Sequence, residues 1–110
     1  MSEIKDLPNL IPEKQVQVHA LAEVSPLAEI AKGVVIGSGA VIGPDVQIGA
    51  DTWIGPNVII DGKVKIGSNN KIFPGACLGL EPQDLKYKGA RTEVSIGNKN
   101  TIREYVTINR

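Results

Sequence analysis

Between Gly79 and Ala90 the sequence reads GLEPQDLKYKGA and gathers Gln83, Asp84, Lys86, Tyr87 and Lys88, with Arg91 just beyond. A carboxylate flanked by cations suits a polyhydroxylated ligand that bears phosphate. Asp84 would accept hydrogen bonds from sugar hydroxyls, while Lys86 would meet anionic oxygens. The competing reading is a solvated decorative loop, because charged surface loops are ordinary. The single histidine, His19, lies far upstream with nothing near it to orient it as a general base, so no catalytic residue is assigned. One histidine and one cysteine also rule out a metal-ligand cluster of the kind a metal-dependent hydratase would need, and no cofactor is expected.

The elements that must hold these side chains follow from a beat of six. Aliphatic residues stand at Val18, Val24, Ile30, Ile36, Ile42, Ile48, Ile54, Ile60, Ile66, Ile72 and Leu78, and the register resumes at Ile96, Ile102 and Ile108. Two residues before most of them lies a small or β-branched one, as in Ala40/Ile42 and Val58/Ile60, which is the period of a strand. Turn-forming pairs such as SG, PD, PN and SN separate them. A helix of about 3.6 residues per turn would rotate the aliphatics around its axis, and the glycines and prolines would break it. Short strands joined by corners satisfy the pattern. Three hexads close a triangular coil, and coils stack as parallel strands about 4.8 Å apart. The expected fold is an all-β parallel β-helix of hexapeptide repeats, residues 16–110, after a leader at 1–15. The glycines of GSGAVIG (Gly37 to Gly43) belong to this repeat; their spacing is wrong for a nucleotide-binding fingerprint.

Stacking every eighteenth residue sorts the outward positions into three faces. One carries Gln17, Val35, Trp53 and Lys71; a second carries Glu29, Gln47 and Lys65; the third carries Glu23, Val41, Ile59 and Cys77. The apolar line Val41, Ile59 and Cys77 is the candidate oligomer interface, closing around a threefold axis, against the plainer reading of scattered surface apolars.

Ile96 lies eighteen residues after Leu78, so either a degraded coil or a twelve-residue insertion separates them. A degraded coil would turn Asp84 and Lys88 into the core, at several kcal/mol each. An insertion instead stacks IGSNNKI on IGNKNTI, putting Asn70 and Asn100 in one inward column where their amides can hydrogen-bond to each other. Insertion is the better account. It makes residues 80–93 an external loop beginning near Gly79 on the apolar face, with Asn109 beside Gly79 on the next coil, and a polar loop beside a subunit seam makes a cleft for ligands.

Bulk properties narrow the partners. Twelve acidic and twelve basic residues give no general reason to expect nucleic acid or an anionic membrane. One cysteine excludes an intrachain disulfide, and the charged, proline-containing start MSEIKDLPNLIPEKQ is not a signal peptide. No window is long and apolar enough to span a bilayer, so a cytoplasmic protein is the default expectation.

The hexapeptide array resembles the left-handed β-helix acyltransferases. The run PQDLKYKGARTEVSIGNKNTIREYVTINR closely resembles the UDP-N-acetylglucosamine O-acyltransferases of lipid A biosynthesis, as does the opening VHALAEVSPLAEI. QDLKYKG followed by IGNKNTIRE is the specific part, since hexads alone are widespread. The resemblance implies a left-handed coil and a cytoplasmic homotrimer. It also implies transfer of a 3-hydroxyacyl group from acyl carrier protein to the glucosamine 3-hydroxyl of UDP-N-acetylglucosamine, with no metal. Gln83, Asp84 and Lys86 match the family's substrate-contacting loop positions, and Asn109 stands where many members have histidine. The family's general-base histidine lies in later coils, while this sequence stops at Arg110. It is therefore read as an amino-terminal portion or a truncated product, inactive alone; the alternative is a short, non-enzymatic β-helix that serves assembly or interaction.

Overall fold

The computed structural model describes residues 15–80 and 92–110. Every regular element among them is a short strand: β1 (Gln17–Val18), β2 (Glu23–Val24), β3 (Glu29–Ile30), β4 (Val35–Ile36), β5 (Val41–Ile42), β6 (Val46–Ile48), β7 (Trp53–Ile54), β8 (Ile59–Ile60), β9 (Val64–Ile66), β10 (Lys71–Ile72), β11 (Cys77–Leu80), β12 (Val94–Ile96), β13 (Thr101–Ile102) and β14 (Thr107–Asn109). They form three parallel sheets. The first has the order β1-β4-β7-β10-β13, the second β14-β11-β8-β5-β2 and the third β12-β9-β6-β3. Each coil visits all three, which is how a period of six becomes a prism.

The sixth-residue aliphatics fill the axis. Ile36, Ile42, Ile48, Ile54, Ile60, Ile66, Ile72 and Leu78 are all fully or nearly fully buried, and so are Val34, Ala40, Val46, Val58, Val64 and Ala76 two residues before them. Each such isoleucine or leucine contributes about 1.5–3 kcal/mol by leaving water. The outward residues pair as the period requires, Val35 with Trp53 and Trp53 with Lys71 on the first sheet, Val41 with Ile59 and Ile59 with Cys77 on the second. Backbone rungs such as Gly37 N–H to the Ile54 carbonyl (2.8 Å) tie the coils together.

Register changes once. Below the interruption partners are eighteen residues apart, as in Ile48 with Ile66; above it Ile66 pairs with Ile96, Ile72 with Ile102 and Leu78 with Ile108, thirty apart. The twelve extra residues are the insertion the charges demanded.

The corners need backbone that few residues tolerate. Those entering the first sheet place Gly33, Asp51, Asn69 and Lys99 at φ 60–75°; those entering the second place Gly39, Asn57, Gly75 and Tyr105 at 59–80°. Glycine, asparagine and aspartate are the residues that enter this left-handed region most readily. The kinked amide is used: Asp51 N–H donates to the Lys32 carbonyl (3.0 Å) and Lys99 N–H to the Ser68 carbonyl (3.0 Å). Tyr105 is bulky for such a position, and its ring lies over Gly75, where a Cβ would collide with it.

One inward column is polar. Thr52 Oγ1 accepts from Asn70 N–H (3.3 Å) and donates to the Gly67 carbonyl (3.0 Å). Asn70, fully buried, repeats the arrangement one coil up: its Oδ1 accepts from Asn100 N–H (2.8 Å) and its Nδ2 donates to the Gly97 carbonyl (2.8 Å). The stacking of Asn70 under Asn100 is as expected, but the mutual amide bonds are not. The Asn70 amide meets backbone, which offers a donor and an acceptor at fixed spacing, and the Asn100 amide turns to its own Asn98 carbonyl (3.3 Å).

Candidate functional site

Gly79 and Leu80 form the departure point of the polar arm. β11 carries Cys77 at one end and Leu80 at the other, so the apolar line and the arm share a strand. Val41, Ile59 and Cys77 are all partly buried on the second sheet. The chain re-enters the prism through Thr92 and Glu93: Val94 N–H donates to the Lys63 carbonyl (3.0 Å), and Glu93 pairs with Lys63 at 3.7 Å on the surface. Departure and return lie at the corner between the second and third sheets, above the short link Asp61–Lys63. Gln83, Asp84 and Lys86, the candidate ligand-binding residues, lie outside the described residues.

Asn109 is placed one step away from its expected position. Leu78 pairs with Ile108, but Asn109 pairs with Leu80, because β11 bulges between them. Gly79 is the extra residue, at φ 84°, and a Cβ on it would meet the Asp61 carbonyl oxygen and Val64 Cγ2. The bulge sets exposed Asn109 beside the last residue before the arm rather than beside Gly79. Arg110, which sequence reading passed over, belongs here too. Its Nε donates to the Gly79 carbonyl (2.6 Å) and its N–H to the Leu80 carbonyl (3.1 Å), laying a guanidinium across the root of the arm. Counting thirty from Leu80 would have brought Arg110 to this corner; charge alone did not single it out.

His19 has a local task on the first coil. Its Nδ1 accepts from Leu21 N–H at 3.0 Å, the turn that Ser25 Oγ makes six residues later with Leu27 N–H (3.1 Å). A ring nitrogen occupied in this way, coils away from the arm, is a turn acceptor. No group of three potential metal-ligating side chains occurs among the described residues, and no helix there is long and apolar enough to cross a membrane.

A second cluster lines the corner between the first and second sheets. Phe73 stands edge-on to Trp53 (5.7 Å between ring centroids), and the Arg103 guanidinium lies 4.8 Å from the Phe73 ring centre. Arg103 Nε donates to Glu104 Oε1 at 3.1 Å. The Glu104 carboxyl is held below its usual range, first by its own backbone amide and then by Arg103.

This geometry brings the root of the arm, the apolar line, Asn109 and Arg110 to one strand and its neighbour. Chemically it offers donors and a cation at the edge of a rigid prism, a setting for an anionic, hydroxyl-rich ligand.

Comparison with known proteins agrees in both sequence and shape. Residues 45–79 match the family described as bacterial transferase hexapeptide (six repeats). An acyl-[acyl-carrier-protein]--UDP-N-acetylglucosamine O-acyltransferase of Synechocystis sp. is 64% identical over 53 residues, 48% of this chain and 19% of that protein. A solved UDP-N-acetylglucosamine acyltransferase superposes with a TM-score of 0.83 at 46% identity over 84% of this chain and 36% of its own. The UDP-N-acetylglucosamine O-acyltransferase of Moraxella catarrhalis gives 0.81 at 43% identity, again over 84% and 36%. The chain thus spans well under half the length of these relatives. It is a left-handed parallel β-helix of hexapeptide repeats that corresponds to the amino-terminal part of the UDP-N-acetylglucosamine O-acyltransferases.

Proposed function

We propose that this chain supplies the sugar-nucleotide side of an acyltransferase that moves a 3-hydroxyacyl group from acyl carrier protein to the 3-hydroxyl of UDP-N-acetylglucosamine, a cytoplasmic step of lipid A biosynthesis. The observation that carries the reading is the 46% identity over 84% of the chain to a UDP-N-acetylglucosamine acyltransferase, in a coil of the same shape. In this reading Asp84 accepts from sugar hydroxyls, Lys86 meets phosphate oxygens, and Gln83 and Asn109 complete the polar contacts. Taking the proton from the attacking hydroxyl requires a base. His19 is engaged in a turn on the first coil, so none is assigned within these 110 residues.

Calorimetric titration with UDP-N-acetylglucosamine tests the assignment. The chain should bind it, and Asp84→Ala combined with Lys86→Ala should weaken binding at least about tenfold, the loss of one charge-assisted contact or more. With acyl carrier protein loaded as donor, the 110-residue chain should show no measurable transfer. Unchanged binding in the double variant would favour the non-enzymatic module, and easily measured transfer would overturn the placement of the base.

The assembly in this reading is a homotrimer sealed by Val41, Ile59 and Cys77. Ile59→Asp puts a charge in the middle of that line, where burial without a partner costs several kcal/mol. Sedimentation should move towards monomer; an unchanged profile removes these residues from the interface.

A further inference from the structure

Every sixth residue of the array is an inward aliphatic, so residue type at the core does not choose where the coil after the arm sits, although any seating other than the observed one takes from Val64 and Ile66 the cover that Val94 and Ile96 give them. Ile96 can cover Ile66, Ile72 one side further on, or Leu78 two sides on, with aliphatics inside each time. Within uninterrupted coils a short corner removes that freedom. Across residues 81–91 the connection is long, and the entropy of closing a loop changes only slowly with its length.

Beyond that cover, a set of exceptions to the repeat distinguishes the seatings. Asn70 is an amide in a column otherwise made of Val34 and Thr52; Phe73 follows its aliphatic where Gly37 and Gly55 do so below. Both exceptions are matched thirty residues later by another, Asn100 over Asn70 and Arg103 over Phe73, and the ring of Tyr105 lies over Gly75. Asn98 Oδ1 also accepts from Ser68 N–H (2.7 Å), so amides reach across the interruption in both directions. Seated one side further on, Val94 would cover the buried Asn70 amide, Gly97 would replace Arg103 over Phe73, and Asn100 would stand on Ala76. The bond donors and the cation would lose the partners they have here.

We propose that Asn70, Phe73 and Gly75 are positioning residues: they select the seating of the coil that follows the arm, and so bring Asn109 to Leu80. The meaning of Asn109 rests on the proposed function; the register does not.

The only cysteine, Cys77, faces Thr107 in this register. It would face residue 101 if the coil were seated one side on and residue 95 if two. Thr107→Cys, Thr101→Cys and Ser95→Cys, each made alone and treated with a short bifunctional thiol reagent, therefore report the three seatings through intramolecular cross-links at monomer mass. In the otherwise native chain the 107 product should exceed the others at least about tenfold, since a gap of 1.4 kcal/mol suffices for that. Adding Asn70→Val and Phe73→Gly, residue types the array itself uses at such positions, should cut that excess at least fivefold, with the 101 or 95 product rising. Thr52→Val removes the same kind of bridge where no arm intervenes and should leave the excess unchanged. An undiminished excess in the folded double variant, or an equal loss with Thr52→Val, overturns the proposal. Should circular dichroism show that the double variant has lost its β-structure, Phe73→Gly alone is judged by the same ratio. No sugar nucleotide enters the assay, so failure of the binding assignment would leave the register result standing.

Discussion

Replacing buried Gly79 with valine should destabilise the chain by about 3 kcal/mol or more, among the largest effects of any single substitution in this chain. Two penalties combine. A φ of 84° is open to glycine and costs a β-branched residue about 1–2 kcal/mol. The added carbons would then enter space held by the Asp61 carbonyl and Val64 Cγ2, where overpacking costs about 1–3 kcal/mol. The Asp61 carbonyl belongs to backbone, which cannot swing aside as a side-chain tip would. Gly97→Ala is the control: a Cβ there finds only Asn100 Nδ2, at 3.9 Å, and its φ is ordinary. Urea unfolding should show a large fall in midpoint for Gly79→Val and a change below about 1 kcal/mol for Gly97→Ala. Similar values for both would mean that the bulge is not held by this contact. Because the bulge aligns Asn109 with Leu80, Gly79→Val should also disturb the arm's root.

Ile60→Ala should cost about 2–5 kcal/mol, the range for a fully enclosed aliphatic whose cavity cannot collapse. Ile60 is 0% exposed, with Ile42 below and Leu78 above in the same column. Parallel coils pinned by backbone rungs on three sides have little freedom to close the gap, which argues for the upper half of the range. Ile108 occupies the same column on the last described coil but is only partly buried, so Ile108→Ala should cost roughly half as much. Denaturant midpoints at constant slope give the comparison. Equal losses would mean that the column is not packed more tightly at its middle than at its end.

These two sites differ in how far they could be read beforehand. Ile60 is legible at once, because a period of six with a second inward residue two places earlier admits only strands and corners. The insertion was legible too, since Asp84 and Lys88 could not be buried without partners. The Gly79 bulge was not. Glycine after the aliphatic is the rule of this array, and nothing in the letters marks Gly79 as the one that adds a residue to its strand. That is why Asn109 was expected beside Gly79 and lies beside Leu80. The tyrosine at a left-handed corner is a similar case. Local preference argues against Tyr105 there, and only the open face of Gly75 beneath it makes room.

The candidate site was partly visible. The charged arm stood out because it breaks the beat, and the apolar line Val41, Ile59 and Cys77 emerges from counting in eighteens. Arg110 did not, since its relevance comes from its hydrogen bonds to the Gly79 and Leu80 carbonyls across the stack. The Asn70 amide was placed correctly in the column but given the wrong partners, because a stacked backbone offers both a donor and an acceptor within reach and a second amide does not compete.

The strand period, the inward columns, the three outer faces and the place where the coil is interrupted can all be read from the residues alone. All of these follow from local sterics and from the cost of burying charge. Which glycine bulges, which backbone groups the buried amides meet and which side chains gather at the arm's root are settled by the stacking of the coils. Those outcomes depend on atoms thirty residues apart brought into contact by stacking, and a repeat that looks alike at every sixth residue cannot specify them locally.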